Sequence, residues 1–405
     1  MRSNALRSRL TSLICAVLLP ALCFAYDPDL VAAQKDSMKQ AVTNEFGGGS
    51  QVEKKEAFNP GEMILEHISD AHEWHFWGHY HIPLPVIVKT DKGLEVFSSG
   101  HFRNEETHEL QPYTGSNYTY ALNKEGKIVV WDADLGAENE IATKTILDLS
   151  ITKNVVTLFV VVGLMLLIFL NVAKTYKKRV GQTTKGMQSL FEPLIVFVRD
   201  DIAKPSIGKK YERYMPFLLT VFFFIWIANM LGLIPVFPGG ANLTGNIAVT
   251  ATLAGLTFII TTFSANRHYW RHIFAMPGIP VGILVILTPI EIMGMFLKPI
   301  VLTIRLFANI LAGHIIALSF YSLIFIFAKG GENMGAGIGV SVGSVAFTIF
   351  MSVLELLVAF LQAYVFTMLS AIYFGSAIEE HHHGEEQGHD AGDGLITAHV
   401  HTVPN

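Results

Sequence analysis

An arginine, an asparagine and a histidine interrupt the apolar run TIRLFANILAGHIIAL, residues 303–318. A charge at bilayer mid-depth costs about 2.5–3.5 kcal/mol on insertion scales, so Arg305 must return something for its position. Arg305 and Asn309 are four residues apart and share a helix face. His314, nine residues beyond Arg305, lies about half a turn around the helix at ~100° per residue. One helix thus presents a permanent cation and, on another face, a titratable imidazole. Further on, Glu355 and Gln362 stand seven apart on one face of a second apolar helix. Upstream of Arg305, Glu291 and Lys298 add an acid and a base to the first helix. Intramembrane groups of this kind mark proton or ion pathways. The plainer alternative is a set of buried pairs that fix helix register, with Arg305 permanently salt-bridged to Glu355. The number of such groups on two consecutive helices favours the pathway.

The elements that carry them belong to a membrane chain. Of 405 residues, 51% are hydrophobic and 16% charged, and mean hydropathy is +0.41, too apolar for a soluble domain. A net charge of −5 gives no case for nucleic-acid binding. The fold class is mainly α, polytopic, with about five membrane helices. Spans are expected at about Val155–Val172, Pro216–Val236 and Asn246–Ser264. Two apolar stretches follow, 280–328 and 338–378, each much longer than the ~20 residues one crossing needs. Two long helices, strongly tilted or bent into hairpins at Pro289 and Pro299, fit them best. The Lys- and Arg-rich segment 174–213, with Lys177, Lys178, Lys209 and Lys210 among its bases, is read as cytoplasmic, which puts the preceding region outside. Within it, residues 187–202 have an apolar face suited to lying along the membrane surface.

The N-terminal residues 1–25 have the pattern of a cleavable signal: basic Arg2, Arg7 and Arg9, a short apolar core, and small residues near Ala25. Both cysteines, Cys15 and Cys23, fall inside it, so no disulfide or thiolate metal site is expected in the remainder. An exported region, 26–150, follows, with a Gly-rich linker at 46–56. Apolar, β-branched runs flank the turn sequences KTDKG (89–93) and NKEGK (123–127), which reads as two β-hairpins. His67, His72, His75, His79 and His81 crowd one segment, and His75 and His79 have the spacing of a helical metal pair. Without the remaining zinc-protease pattern, an amphipathic segment packed on membrane or protein is favoured, and no metal or other cofactor is expected. The tail 379–405 is rich in Glu and His and reads as a disordered cytoplasmic end.

The run KPIVLTIRLFANILAG (298–313), followed by QAYVFTMLSAIYF (362–374), resembles subunit a of the F-type ATP synthase, the membrane stator beside the rotating c-ring. The similarity covers about residues 150–378 and includes the ANLTGN sequence ending in Asn246 and the closing Ser376–Glu380. It leaves residues 26–150 and the tail unexplained. The resemblance implies that Arg305 is the essential stator arginine, with Asn309 and Gln362 facing the same site. It further implies roles for Glu291, Lys298 and Asn246 in proton translocation. Many bacterial relatives carry a glutamate at the position of His314 and a histidine at that of Glu355; here the two types are exchanged. Two laterally offset half-channels, c-ring and b-type peripheral-stalk partners, membrane lipids, and a bacterial inner-membrane location follow from the same resemblance, as does a non-catalytic role within the complex. The competing function, a proton-coupled secondary transporter, finds no pair of similar halves in the sequence.

Overall fold

The computed structural model describes residues 70–75, 81–104, 110–123, 126–133, 136–178, 183, 185–234, 240–274, 279–328 and 334–379. The signal segment, the 46–56 linker, His67, His79 and the tail beyond Glu379 lie outside the described residues.

The described residues before Lys153 form a small β domain. Strands β1 (Glu73–His75) and β2 (His81–Pro83) pair antiparallel. Strands β3 (Pro85–Thr90) and β4 (Gly93–Ser98) make the first expected hairpin, in register from Pro85↔Ser98 to Thr90↔Gly93. Its tight turn works because Gly93 adopts a φ of 136°, open to glycine alone, while the Thr90 hydroxyl donates to the Gly93 carbonyl at 3.0 Å. The short β5 (Tyr113–Thr114) pairs with β6 (Thr119–Leu122); β6 and β7 (Ile128–Asp132) form the second hairpin, and β8 (Ala137–Glu138) closes that sheet. Val86, Val88, Phe102, Tyr120 and Ile128 are its buried core. The histidine-rich segment is therefore extended on both flanks of its undescribed centre. Helical spacing between His75 and His79 does not apply where Glu73–His75 pairs as a strand. His72 is buried, and its Nε2 lies 3.3 Å from Asp148. Burial alone would raise the Asp148 carboxyl, but hydrogen bonds from His72 and Ser150 hold it below its ordinary value.

The last strand, β9 (Leu147–Asp148), runs straight into helix α1 (Lys153–Lys178). Four backbone N–H groups fix that junction. Leu149 donates to the Ile87 carbonyl at 2.8 Å, Ile151 to Pro85 at 3.0 Å, and Lys153 to Ala71 at 2.9 Å. Asn154 donates to the Asp70 carboxylate at 3.1 Å. The first turn of a helix leaves N–H groups without intrahelical partners; here Ala71 and Asp70 of the β domain satisfy two of them, at Lys153 and Asn154.

Among the described residues, five helical segments are long and apolar enough to cross a membrane. After α1 come α2 (Met187–Phe197), a π-helical turn at Val198–Ala203, α3 (Tyr211–Gly232), α4 (Ile247–Ser264), the short α5 (Arg267–Phe274), α6 (Val281–Ala328) and α7 (Met334–Ile378). Neither Pro289 nor Pro299 ends α6, which continues for 48 residues, and α7 for 45. Both stretches are single helices, not hairpins. In hydrocarbon a broken helix exposes unpaired N–H and C=O groups, which outweighs the single bond lost at each proline. At 1.5 Å per residue α6 is ~72 Å long, more than twice the ~30 Å hydrocarbon core, so it cannot stand upright inside it. The face of α2 and its π turn that carries Phe191, Val198, Ile202 and Ala203 is buried in protein. Of its large apolar side chains, Met187, Leu190 and Val196 are exposed, and the rest of the apolar side expected on the membrane surface is used on the bundle.

Helix α3 is apolar all round and forms the centre, with Phe217, Phe222, Phe223 and Phe224 buried between α1, α2 and α7. Helix α7 also approaches the segment Lys204–Ile207 so closely that a Cβ at Gly375 would sit 1.9 Å from the Ser206 carbonyl oxygen. Elsewhere in a helix, Gly→Ala is favourable by about 1 kcal/mol. At this position it forces two backbones apart, and Gly375→Ala is expected to destabilise the chain by about 1–3 kcal/mol. A drop of several degrees in the melting temperature of the detergent-solubilised protein checks this. An unchanged or raised melting temperature would show that α7 withdraws at no cost.

Candidate functional site

Helices α6 and α7 lie antiparallel along each other, as their cross-contacts show: Arg305 meets Gln362, His314 meets Glu355, and the rings of Phe320 and Phe347 stand 3.8 Å apart at their centroids. Two long apolar rods in contact have no hydrophobic reason to choose one register in lipid, so polar contacts fix it.

The His314 Nδ1 atom is 3.2 Å from Glu355 Oε1, and both side chains are largely shielded. The imidazole and carboxylate that the sequence placed on separate helices are thus one pair. Gly313 makes room for it: a Cβ there would lie 2.8 Å from Glu355 Oε1. Gln362 is buried and donates from Nε2 to the Arg305 backbone carbonyl at 2.9 Å. It therefore braces the helix at the arginine and leaves the guanidinium unengaged. The exposed Arg305 side chain has no carboxylate partner among the described residues. The alternative of a permanent Arg305–Glu355 salt bridge does not hold, because Glu355 is paired with His314. Asn309, also exposed, lies one turn from Arg305.

Two cavities flank Arg305 along α6. The larger, about 170 Å³, has Asn309, Gly313 and His314 from α6 and Glu355 from α7 on its wall, together with Asn229 of α3 and Asn242 and Thr244 from the loop between α3 and α4. The smaller, about 10 Å³, lies two helical turns before Arg305 and is lined by Lys298, Tyr373, Tyr269, Thr257 and Thr261. The Lys298 ammonium sits 5.4 Å from the centroid of the Tyr373 ring, within cation–π range. Burial and then nearby Glu291 push the Tyr269 hydroxyl above its ordinary value, which places Glu291 near this second cavity without lining it. Asn246 does something else: its side chain accepts the Ala248 N–H at 2.9 Å and caps α4.

Sequence reasoning missed Asn229, Asn242 and Thr244. Asn229 donates to the Ala359 carbonyl at 3.2 Å and accepts from the Thr244 hydroxyl, joining α3, α7 and the loop. Asn229 did carry a signal, as an amide inside the otherwise apolar end of the second span. Asn242 and Thr244 looked like ordinary loop residues, since nothing in the sequence says that the loop folds inward.

These features define a multi-pass membrane protein with ionisable groups along its two longest helices, one of them a cation between two cavities that each carry a few polar side chains, with no carboxylate partner among the described residues. The ATP synthase A chain family matches residues 155–375, and the chain belongs to that family. A family described as Domain of unknown function (DUF8433) matches residues 63–149, most of the β domain. Similar proteins include the ATP synthase subunit a of Chloroherpeton thalassium, 46% identical over 249 residues, which covers 60% of this chain and 71% of that one. The ATP synthase subunit a of Chlorobium phaeobacteroides (strain DSM 266) is 40% identical over 301 residues, 73% of this chain and 81% of its own. That of Myxococcus xanthus is 42% identical over 250 residues, 60% and 78% of the two chains.

Proposed function

We propose that this chain is the proton-translocating stator subunit of an F-type ATP synthase, non-catalytic by itself. The observation that carries the reading is an exposed Arg305 guanidinium without a carboxylate partner among the described residues, braced through its backbone by Gln362 and flanked by two cavities that each carry polar side chains. A cation in an apolar helix pair demands a counter-charge. A c-ring supplies one: a carboxylate that is protonated while it faces lipid and ionised while it faces the stator. The cavity at His314 and Glu355 is one half-channel and the pocket at Lys298 and Tyr373, near Glu291, the other. Arg305 and Asn309 face the rotor between them, and the offset of the cavities along α6 turns proton flow into rotation. Asn246 contributes by capping α4 at the edge of the first cavity. The chain sits in a bacterial inner membrane among its lipids, with the β domain outside, the C-terminus cytoplasmic, and b-type stalk subunits holding it against the ring. The basic 174–213 segment supports that orientation.

One experiment tests complex and orientation together. Intact cells carrying tagged Ile141→Cys are treated with a membrane-impermeant maleimide, and the chain is then purified in mild detergent. Ile141 is 83% exposed on the β domain. The expected result is label on the cysteine and co-purification of c-subunits, b-type subunits and an ATPase head. Label appearing only after lysis would reverse the orientation, and a chain isolated without a c-ring would remove the stator reading.

A further inference from the structure

Asn242 lies in the loop between α3 and α4, on the wall of the larger cavity, and is 7% exposed. Its amide is oriented by its surroundings. Gly245 N–H needs an acceptor and finds Asn242 Oδ1 at 2.9 Å. The absence of a side chain at Gly245 keeps the amide there, because a Cβ at that position would fall 2.1 Å from Nδ2. With the oxygen committed to Gly245, the NH2 group lies against the Gly245 backbone. That Nδ2 atom is buried and has no hydrogen-bond acceptor among the described residues. A buried donor left unsatisfied is costly, and native structures pair such groups with protein or water. The same cavity holds the acceptors that such a water needs, in Glu355, His314 and Asn309. Its volume, about 170 Å³, accommodates on the order of five waters at ~30 Å³ each.

We infer that Asn242 is a positioning residue of the proton path: its Nδ2 donates to an ordered water that delivers protons to the His314–Glu355 pair. The inference rests on the proposed function, since it gives this cavity the role of a half-channel. The donor direction matters chemically. A water that accepts from Asn242 has both of its own protons free to point inward, toward Glu355, so the chain of hydrogen bonds is polarised for inward transfer. An acceptor at position 242 would draw one of those protons away.

Asn242→Asp separates this role from turn capping. Aspartate keeps the oxygen that accepts from Gly245 and replaces only the donor. In inverted membrane vesicles containing the whole complex, ATP-driven proton pumping and passive flow after removal of the ATPase head are measured against pH. The expected result is a normally assembled complex whose proton flux falls about tenfold near pH 8, the size of one lost hydrogen bond. Flux recovers as the pH falls through the pKa of the new carboxyl, which burial raises above the ordinary aspartate value, and the side chain becomes a donor. Wild-type flux across the whole range would make Asn242 a turn cap only and overturn the inference. Should Asn242→Asp block assembly, the wild-type complex decides: a high-resolution cryo-EM map must place a water within about 3.2 Å of Asn242 Nδ2, and its absence there overturns the inference. Arg305→Ala in the same vesicles is the control for the underlying reading. Coupled pumping in that control removes the half-channel assignment itself, whereas a dead control beside undiminished flux in Asn242→Asp removes only the role of Asn242.

Discussion

Arg305→Ala is expected to abolish ATP-driven proton pumping and growth that depends on ATP synthesis, while the complex still assembles. Arg305 has no carboxylate partner among the described residues, and Gln362 holds only its backbone, so its removal breaks no side-chain ion pair among them. What is lost, on the proposed function, is the charge offered to a c-ring carboxylate. An opposite charge within a few ångströms lowers a carboxyl pKa by ~1–3 units, worth about 1.4–4 kcal/mol per proton released. Each proton gains only about 2.3 kcal/mol per 100 mV crossed, so losing the arginine removes a share as large as the driving force itself. Arg305→Lys is expected to be nearly as damaging. A buried ammonium can surrender its proton where a guanidinium does not, and a cation that deprotonates becomes part of the leak it should block. Passive proton flow rises in Arg305→Ala, because the cation between the two cavities is gone. ATP-driven quenching of a pH-sensitive dye in inverted vesicles reads both effects, and coupled pumping by either variant would sink the stator assignment.

The second large effect concerns the pair on the other side of the arginine. His314→Glu sets a second carboxylate beside Glu355, where the present contact is 3.2 Å. Two like charges at that distance cannot both ionise, and the site retains a proton it should pass on. Glu355→His leaves two imidazoles with the converse fault. Each single variant is expected to lose proton flux on the order of a hundredfold, the scale of one positioned proton-transfer group. The double variant, His314→Glu with Glu355→His, restores one acid and one base and is expected to recover much of the flux. Gly313 leaves space at the contact, since a Cβ there would already crowd Glu355, and this lets the larger ring seat on α7. A double variant no better than the worse single would mean that the two side chains work separately.

Much of this arrangement was legible in the sequence because lipid leaves few options. A polar residue in a membrane helix must face something polar, so His314 and Glu355 announced each other across 41 residues. The hairpins around Gly93 and residues 123–127 followed from turn chemistry and alternation. What stayed hidden was whatever depends on three-dimensional return. Gln362 bonds the Arg305 carbonyl and not its side chain, a distinction that spacing does not encode. Asn242 and Thr244 fold into the cavity from a loop whose composition is ordinary. The unbroken course of α6 through two prolines reflects a balance between one lost hydrogen bond and a broken backbone in hydrocarbon, and propensity alone weighs only the first. The His72 contact with Asp148 needed the sheet to bring together groups far apart in the chain.

The four hydrogen bonds that seat the start of α1 in the β domain also remove a freedom of motion. A lone membrane helix can roll about its long axis, since lipid is the same on every side. This helix cannot, because Ala71 and Asp70 hold its first turn, and Ile87 and Pro85 the residues leading into it, at one azimuth. Phe159 and Leu167 stay outward while Leu158, Val161 and Met165 stay against the bundle. The β domain is thus a keel: it lets the chain bear sideways load without pivoting.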